Sequence, residues 1–359
     1  MGVFCSLLFY LRGMNVDYII VGCGLAGIHF CEQLKAHQKS FVVFDDLSQQ
    51  SSVVAGGLYN PVILKRFTSV WNSKAQLALA LPIYKNLENN LKVKLDYKIP
   101  VLRRFTSVEE QNNWFLAADK PNLSKFLSHK IMTNENPNIR ADYGFGTVLH
   151  TGRIDTSLLV KTYKKDLDKE GLLYDKSFNY RLLKHMNDYV IYNNIKTKNI
   201  VFAEGFGLKN NPYFCHLPLN GTKGELITIF APDLKINYVL KSSVFIIPIG
   251  NDFYVVGSTY ERKDKSNAIT LKAKNELVFK LTKFIKCDFD IVNQSAGIRP
   301  TVKDRRPLVG RHKTHSNVYV LNGLGTRGVM IAPYVAKQLF DFIEYKKPLD
   351  AEINSNRFE

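Results

Sequence analysis

The segment from Asp17 to Gly27 has residue types and a spacing that suit binding of a dinucleotide. An apolar run at 18–21 leads into a turn with glycines at 22, 24 and 27, and a helical pattern follows. These glycines permit a sharp turn, a close approach of the backbone to phosphates and tight packing of the helix on the strand. The N–H groups and positive dipole at the helix start can hold a pyrophosphate. The predicted contacts are Gly22, Gly24, Leu25, Ala26 and Gly27.

An acidic pair follows the next strand pattern. The apolar run 41–44 ends in Asp45 and Asp46, and Asp45 stands 23 residues after Gly22. A carboxylate at the end of the second strand can accept hydrogen bonds from a ribose diol. A βαβ unit that binds no nucleotide is the alternative, but the order of strand, glycines, helix and acid favours a dinucleotide site.

The amino-acid composition limits the class of protein but does not identify its function. The 359 residues are enough for two intertwined domains, and the hydrophobic fraction of 45% is ordinary for a globular protein. The formal net charge is +17, carried mostly by lysines spread along the chain. Solvated lysine-rich faces explain this charge more simply than a dedicated nucleic-acid surface does.

Cysteines and histidines suggest neither disulfides nor metal ligation. The five cysteines show no paired spacing, which suits reduced thiols and a cytoplasmic protein. The eight histidines form no ligand pattern, so no metal site is predicted, and His312 and His315 are expected to be solvated in a polar loop. No apolar run is long enough to predict a membrane span.

Strand and helix patterns alternate and predict an α/β fold with an α+β insert. Helices are predicted at about 72–90, 108–118, 154–169 and 326–345, and an antiparallel meander at 225–230, 244–249 and 253–258. Residues 134–152 are rich in Asn, Pro and Gly and are predicted to be loop-like. The simplest topology is a discontinuous Rossmann-like nucleotide domain interleaved with an antiparallel-sheet domain.

Five separated motifs give the chain a specific resemblance. They are Val21 to Gly27, Ala55-Gly-Gly-Leu-Tyr-Asn-Pro61, Ala203-Glu-Gly205, Ala296-Gly-Ile-Arg-Pro300 with Arg306 to Gly310, and Asn322-Gly-Leu-Gly-Thr-Arg-Gly328. In this order they resemble the D-amino-acid oxidase/glycine oxidase group of FAD-dependent oxidoreductases, from Val16 onward. The resemblance implies non-covalent FAD and a second helix start, at 323–328, that stabilises negative charge on the reduced flavin. An NAD dehydrogenase would not need that second contact.

The resemblance also implies domains and further site residues. It assigns residues 14–80, 150–215 and 288–348 to the FAD-binding domain and residues 81–149 and 216–287 to a substrate domain. Because Met14 stands directly before the first predicted strand, residues 1–13 are predicted to be an extension, and residues 349–359 a tail. Besides the first turn and the acidic pair, the implied FAD contacts are Gly56, Gly57, Leu58, Ala203, Gly205, Gly323, Leu324, Gly325, Thr326, Arg327 and Gly328. Arg299, in the G-x-R-P motif, is the implied catalytic residue, because its guanidinium can pair with a substrate carboxylate.

The implied reaction is oxidation of the C–N bond of an amine or amino acid. A hydride passes from the α-carbon to flavin N5, water hydrolyses the resulting imine, and oxygen is the expected acceptor. Phe245 stands where some amino-acid oxidases place a tyrosine against the carboxylate, and the loss of that hydroxyl favours a bulkier, less polar or macromolecular amine. The chain is also similar to the oxidase half of a bacterial tRNA wobble-uridine modification enzyme, so a tRNA partner stays an alternative.

Overall fold

The computed structural model describes residues 13–358, and these divide into two compact units. The first unit comprises residues 13–53, Ser157–Gly221 and 299–358, and the second comprises Val54–Thr156 and Thr222–Ile298. Of the predicted extension 1–13, only Gly13 lies among the described residues. The chain therefore crosses between the units several times, and each unit is built from distant pieces of sequence.

The first unit is built on a sheet of eight strands. In chain order these are Met14–Val21, Phe41–Asp45, Leu173–Asp175, Leu183–His185, Val190–Tyr192, Ile195–Phe202, Leu308–Arg311 and Val318–Asn322. Strand Met14–Val21 pairs in parallel with Phe41–Asp45 on one side and with Ile195–Phe202 on the other. Leu173–Asp175 and Val318–Asn322 extend the parallel part at its two ends. In strand Met14–Val21, residues 18–21 are at most 5% exposed, as expected for a strand covered on both faces.

The helices of the first unit are Leu25–Ala36, Thr156–Lys169 and Gly328–Tyr345. Short 3₁₀ turns occur at Tyr180–Leu182, Gly205–Asn210 and Ser355–Phe358. The predicted tail packs on this unit, because Ile353 is fully buried and its carbonyl oxygen accepts a 3.0 Å hydrogen bond from the N–H of Val309.

The second unit is built on another eight-stranded sheet, which is mostly antiparallel. Across the sheet the strands are Asp290–Arg299, Thr222–Phe230, Phe253–Gly257, Phe245–Gly250, Val239–Lys241, Val101–Arg104, Phe145–Val148 and Leu127–Met132. Smaller pairings join Leu58–Tyr59, Gly152–Ile154 and Asp96–Tyr97, and Val62–Ile63 with Thr68–Ser69. The helices are Ser73–Leu91, Val108–Ala118 and Leu271–Leu281, and the short helix Ser51–Val54 crosses the unit boundary.

The three segments of the predicted meander form antiparallel strands of one sheet, but Thr222–Phe230 pairs with Phe253–Gly257 and not with Phe245–Gly250, so their order is not that of a meander. One predicted loop is also wrong. Strands Phe245–Gly250 and Phe253–Gly257 form a hairpin through Asn251 and Asp252, which have positive φ angles of 50° and 59°. Within the predicted loop 134–152, residues Phe145–Val148 form a strand. It forms because Phe145 and Val148 are buried and the strand pairs with Val101–Arg104, a long-range contact that local composition does not reveal.

Residues 54–80 group with the second unit, whereas the predicted boundaries place them in the first domain. Leu58–Tyr59 forms a long-range ladder with Gly152–Ile154, and both segments group with the second unit. The assignment of FAD and substrate to particular domains stays a prediction. Among residues 13–358, no helix is both long and apolar enough for a transmembrane segment.

Candidate functional site

The carboxyl ends of the parallel strands meet along one edge of the first unit. Val21 lies opposite Phe44 on one side and Phe202 on the other, and Phe202 lies opposite Val320. The residues that follow these strand ends are therefore neighbours, and they include Gly22, Asp45, Ala203 and Gly323. Ligands of open parallel sheets bind at this kind of edge. Predicted contacts from four separate parts of the sequence are thus brought together.

The first glycine turn is too tight for larger residues. Gly22 has a φ of +102°, and a Cβ there would lie 2.5 Å from the carbonyl oxygen of Ala203. A Cβ on Gly27 would lie 1.9 Å from the carbonyl oxygen of Gly22. The turn is consequently packed against its own helix and against the neighbouring strand end, as a phosphate-binding turn requires.

Asp45 holds the glycine turn in place. Its carboxylate accepts hydrogen bonds of 2.6 Å from the N–H of Cys23 and 2.5 Å from Nζ of Lys164. Asp46 is exposed and accepts from the N–H of Ser48 and the hydroxyl of Ser177. Asp45 Oδ1 also accepts from the N–H of Leu47.

The starts of two long helices converge in the first unit. Leu25 is the first residue of one helix and Gly328 is the first residue of the other. A Cβ on Gly328 would lie 3.1 Å from Cδ1 of Leu25. Two positive helix ends beside a glycine cradle suit a ligand with a negatively charged pyrophosphate and a second electron-rich end. The residues present therefore fit a dinucleotide such as FAD.

Asn322 links two of the predicted turns, and sequence reasoning did not select it as a site residue. It is 2% exposed, its Oδ1 accepts a 2.7 Å hydrogen bond from the N–H of Gly323, and its Nδ2 donates to the carbonyl oxygen of Gly205 at 3.0 Å. The turn at 203–205 and the turn at 323–328 are thereby fixed to each other. Its position at the end of a buried strand, directly before a glycine turn, is the signal that could have identified it.

The glycine turn at 323–328, called the closing turn below, also contacts the segment that carries Arg299. The N–H of Gly325 donates a 3.0 Å hydrogen bond to the carbonyl oxygen of Pro300, the next residue after Arg299. Arg299 is half-buried at the end of its strand. Arg327 is the N-cap residue of the last helix, where its carbonyl oxygen accepts from Met330 and Ile331. Leu324 is buried in the closing turn, and Thr326 follows it there.

Glu204 is a buried acid within the predicted motif Ala203–Gly205, and sequence reasoning missed its role. It is 8% exposed, and its carboxyl group accepts hydrogen bonds from the Tyr180 hydroxyl and, at 2.7 Å, from Nδ2 of Asn211. Burial raises the pKa of Glu204 to about 7. The residue therefore titrates near neutral pH, immediately beside the first glycine turn.

Gly56, Gly57 and Leu58 belong to the second unit. A Cβ on Gly57, which has a φ of +71°, would lie 1.9 Å from the carbonyl oxygen of Ile154. A Cβ on Gly56 would lie 2.7 Å from Cδ1 of Ile247 and 3.6 Å from the ring of Phe245. Gly57 is thus required by close packing against the backbone, whereas the atom nearest to a Cβ at Gly56 is the terminal methyl of a flexible side chain.

The expectation that His312 and His315 are solvated is wrong. Both are half-buried, and the ring of His315 stacks on His185 with centroids 3.9 Å apart and on His312 at 4.9 Å. Tyr213 OH lies 2.8 Å from Nε2 of His185. Aromatic stacking between distant segments overrides the polar local sequence. Within the part of the chain that the structure describes, no group of three or more His, Cys, Asp or Glu is arranged to hold a metal ion.

The sequence is similar to those of curated oxidases and of a tRNA-modifying protein. A curated glycine oxidase from Bacillus subtilis is 26% identical over 148 residues, covering 39% of this chain and 40% of the relative. A tRNA 5-methylaminomethyl-2-thiouridine biosynthesis bifunctional protein from Shewanella sediminis is 25% identical over 202 residues, covering 45% of this chain and 28% of the relative. The matched regions thus span less than half the length of either relative.

Solved structures share the fold over nearly the whole chain. A glycine oxidase from Geobacillus kaustophilus has a TM-score of 0.78 at 16% identity and covers 93% of this chain and 96% of its own. An iminodiacetate oxidase from Chelativorans has a TM-score of 0.79 at 16% identity and covers 94% and 98%. The family model described as FAD dependent oxidoreductase matches residues 17–342. This chain therefore belongs to the FAD-dependent oxidoreductase family of D-amino-acid oxidase type.

Proposed function

We propose that this FAD-dependent oxidoreductase oxidises a C–N bond of a small amine or amino acid that carries a carboxylate. The observation that carries the proposal is the hydrogen bond between Gly325 and Pro300 in the first unit. It holds the Arg299 segment against the closing glycine turn, where the starts of the two helices converge. FAD, when bound, accepts the hydride that the substrate loses.

Residues of this chain bind the substrate and orient it. Arg299 pairs with the carboxylate through a planar, bidentate fork and so fixes which carbon faces the reactive site. The helix start at Gly328 offers N–H groups and a positive dipole end to an electron-rich ligand edge. Such a reaction depends more on positioning than on a catalytic acid–base pair.

We propose FAD contacts at the residues that line the sheet edge and at the turn 56–58. In the first unit these are Gly22, Gly24, Leu25, Ala26, Gly27, Asp45, Asp46, Ala203, Gly205, Gly323, Leu324, Gly325, Thr326, Arg327 and Gly328. The parallel register and the close glycine packing support the first-unit set. Oxygen is the proposed electron acceptor, supported by the oxidase names of the relatives. The cytoplasm is the proposed location, supported by free thiols at Cys23, Cys31, Cys215 and Cys287.

A tRNA wobble-uridine substrate is the second candidate. It is favoured by the likeness to the bifunctional tRNA-modifying protein and by the net charge of +17. In this reading the same oxidation removes a carboxymethyl group from the amine of a modified base. Arg299 would still face a carboxylate, so the two candidates differ in what the amine is attached to.

An anaerobic flavin-reduction screen tests the proposal. The FAD-loaded protein is mixed with glycine, sarcosine, iminodiacetate or tRNA bearing carboxymethylaminomethyl-uridine, and the loss of flavin absorbance is followed. We expect at least one small amine with a carboxylate to bleach the flavin. Bleaching by the modified tRNA alone would favour the second candidate, and no bleaching by any of them would contradict both.

A further inference from the structure

A cavity of about 480 Å³ lies within the second unit. One wall is the tip of the hairpin formed by Val62–Ile63 and Thr68–Ser69, and it contributes Lys65, Arg66 and Phe67. The other wall is the helix Val108–Ala118 with the residues next to its ends. A concave site of this size can enclose a small organic ligand.

The hairpin tip is held in a fixed position against the helix. Phe67 has a positive φ of 47°, a conformation that a bulky residue adopts only when its surroundings enforce it. Its ring meets Trp114 edge to face with centroids 5.5 Å apart, and Trp114 is fully buried with its Nε1 donating to the carbonyl oxygen of Ser128. This packing keeps Lys65 and Arg66 at the cavity.

The helix and the residue Lys120 just after it contribute a row of side chains to the cavity. Glu109, Asn113, Leu116 and Lys120 follow each other at intervals of four, three and four residues, and all are exposed. Glu110, which also lines the cavity, is already neutralised, because it pairs with Arg103 and accepts a 2.9 Å hydrogen bond from the N–H of Thr106. Glu109 is the other acidic side chain in the lining.

Within residues 13–358, three cations of this cavity have no side-chain hydrogen bond or ion pair. Over residues 13–358, no hydrogen bond or ion pair engages the side-chain nitrogens of Lys65, Arg66 or Lys120. Apolar surface lies beside them, because Phe67 is half-buried and Leu116 is 65% exposed. Three cations suit a doubly charged oxyanion, and the apolar side chains suit an attached hydrocarbon or ring.

We propose that this cavity binds a phosphate monoester that carries a small apolar or aromatic group. The phosphate lies among Lys65, Arg66 and Lys120, with Asn113 available as a hydrogen-bond donor. The attached group packs on Phe67 and Leu116. Binding of this ligand does not depend on the amine oxidation proposed above.

Calorimetric titration of the FAD-loaded protein with phenyl phosphate tests the proposal, with inorganic phosphate and phenol as comparison ligands. FAD loading keeps the probe out of the dinucleotide site. We expect phenyl phosphate to bind more tightly than phosphate, and phenol not to bind. The double variant Lys65→Gln/Arg66→Gln should bind phenyl phosphate about tenfold or more weakly than wild type. Leu116→Ser should lower the affinity for phenyl phosphate and leave the affinity for inorganic phosphate unchanged.

The matched control is Lys125→Gln/Lys130→Gln, which removes two exposed lysines of the same unit and should leave the affinity unchanged. Equal affinity in wild type and Lys65→Gln/Arg66→Gln would overturn the proposal, as would an equal loss in the control. A third arm measures retention of unfractionated tRNA. If the Lys65/Arg66 variant loses tRNA but keeps phenyl phosphate, the cations serve nucleic-acid phosphodiesters and the monoester proposal fails.

Discussion

Glu204 is a buried carboxyl group beside the first glycine turn, and its environment favours the neutral form. Desolvation raises its pKa from 4.5 to about 7, against the lowering effect of hydrogen bonds from Tyr180 and Asn211. Between those two pH values the folded state keeps a proton that the unfolded state has lost. Stability contributed by Glu204 is therefore present at low pH and is lost as the pH rises toward 7.

Glu204→Gln should remove this pH dependence. The amide stays neutral, so the variant should gain stability relative to wild type by on the order of 3 kcal/mol between pH 4.5 and pH 8. Urea unfolding of wild type and variant at several pH values measures the difference. A wild-type-to-variant difference that is constant with pH would contradict the buried, neutral carboxyl group.

At the scale of elements, the two helix starts in the first unit depend on close backbone approach. The helix Leu25–Ala36 can pack against its strand only because Gly27 has no side chain, since a Cβ there would lie 1.9 Å from the carbonyl oxygen of Gly22. Any larger residue must move the turn that we assign to the pyrophosphate. Packing of the helix and geometry of the turn are therefore coupled.

Gly27→Ala should lower stability by about 1–3 kcal/mol and reduce the amount of FAD that copurifies. Gly207→Ala is the matched control, because a Cβ at Gly207 would meet its nearest atom at an ordinary 3.5 Å. Thermal unfolding and the ratio of flavin to protein absorbance report the two effects. Full flavin content in Gly27→Ala would show that the turn tolerates a side chain and would contradict the assigned role.

Regular, locally encoded elements could be predicted from the sequence. The helix at 108–118 and the hairpin through Asn251 have the predicted bounds to within a residue or two, because caps, turn residues and apolar spacing lie within each segment. The strand Phe145–Val148 and the stacked His185, His312 and His315 were not predicted. They depend on partners far away in sequence, which periodicity does not encode.

In the candidate site, too, locally encoded features could be predicted and features that depend on long-range contacts could not. The glycine turns were recognised because spacing alone encodes them. The roles of Glu204 and Asn322 required the structure, because they follow from burial and from hydrogen bonds to Asn211 and Gly205. A single polar residue at a strand end has no spacing pattern that would distinguish it.

At the scale of the whole molecule, the net charge of +17 can attract polyanions without sequence or base specificity. If small amines are the substrates, unmodified tRNA and tRNA bearing carboxymethylaminomethyl-uridine should bind equally. Both affinities should fall steeply, by about tenfold or more, between 50 and 200 mM salt. Filter binding across that salt range measures this. Tighter binding of the modified tRNA that persists at the higher salt would contradict the small-amine proposal.

The central claim is that Arg299 directs a carboxylate-bearing amine to the oxidation site. Its most direct test is the rate constant of anaerobic flavin reduction at low substrate concentration, for glycine against methylamine or for sarcosine against dimethylamine. Arg299→Ala should lower the preference for the carboxylate partner by about 10- to 100-fold while leaving reduction by the simple amine nearly unchanged. An unchanged preference in Arg299→Ala, with flavin content intact, would contradict the account.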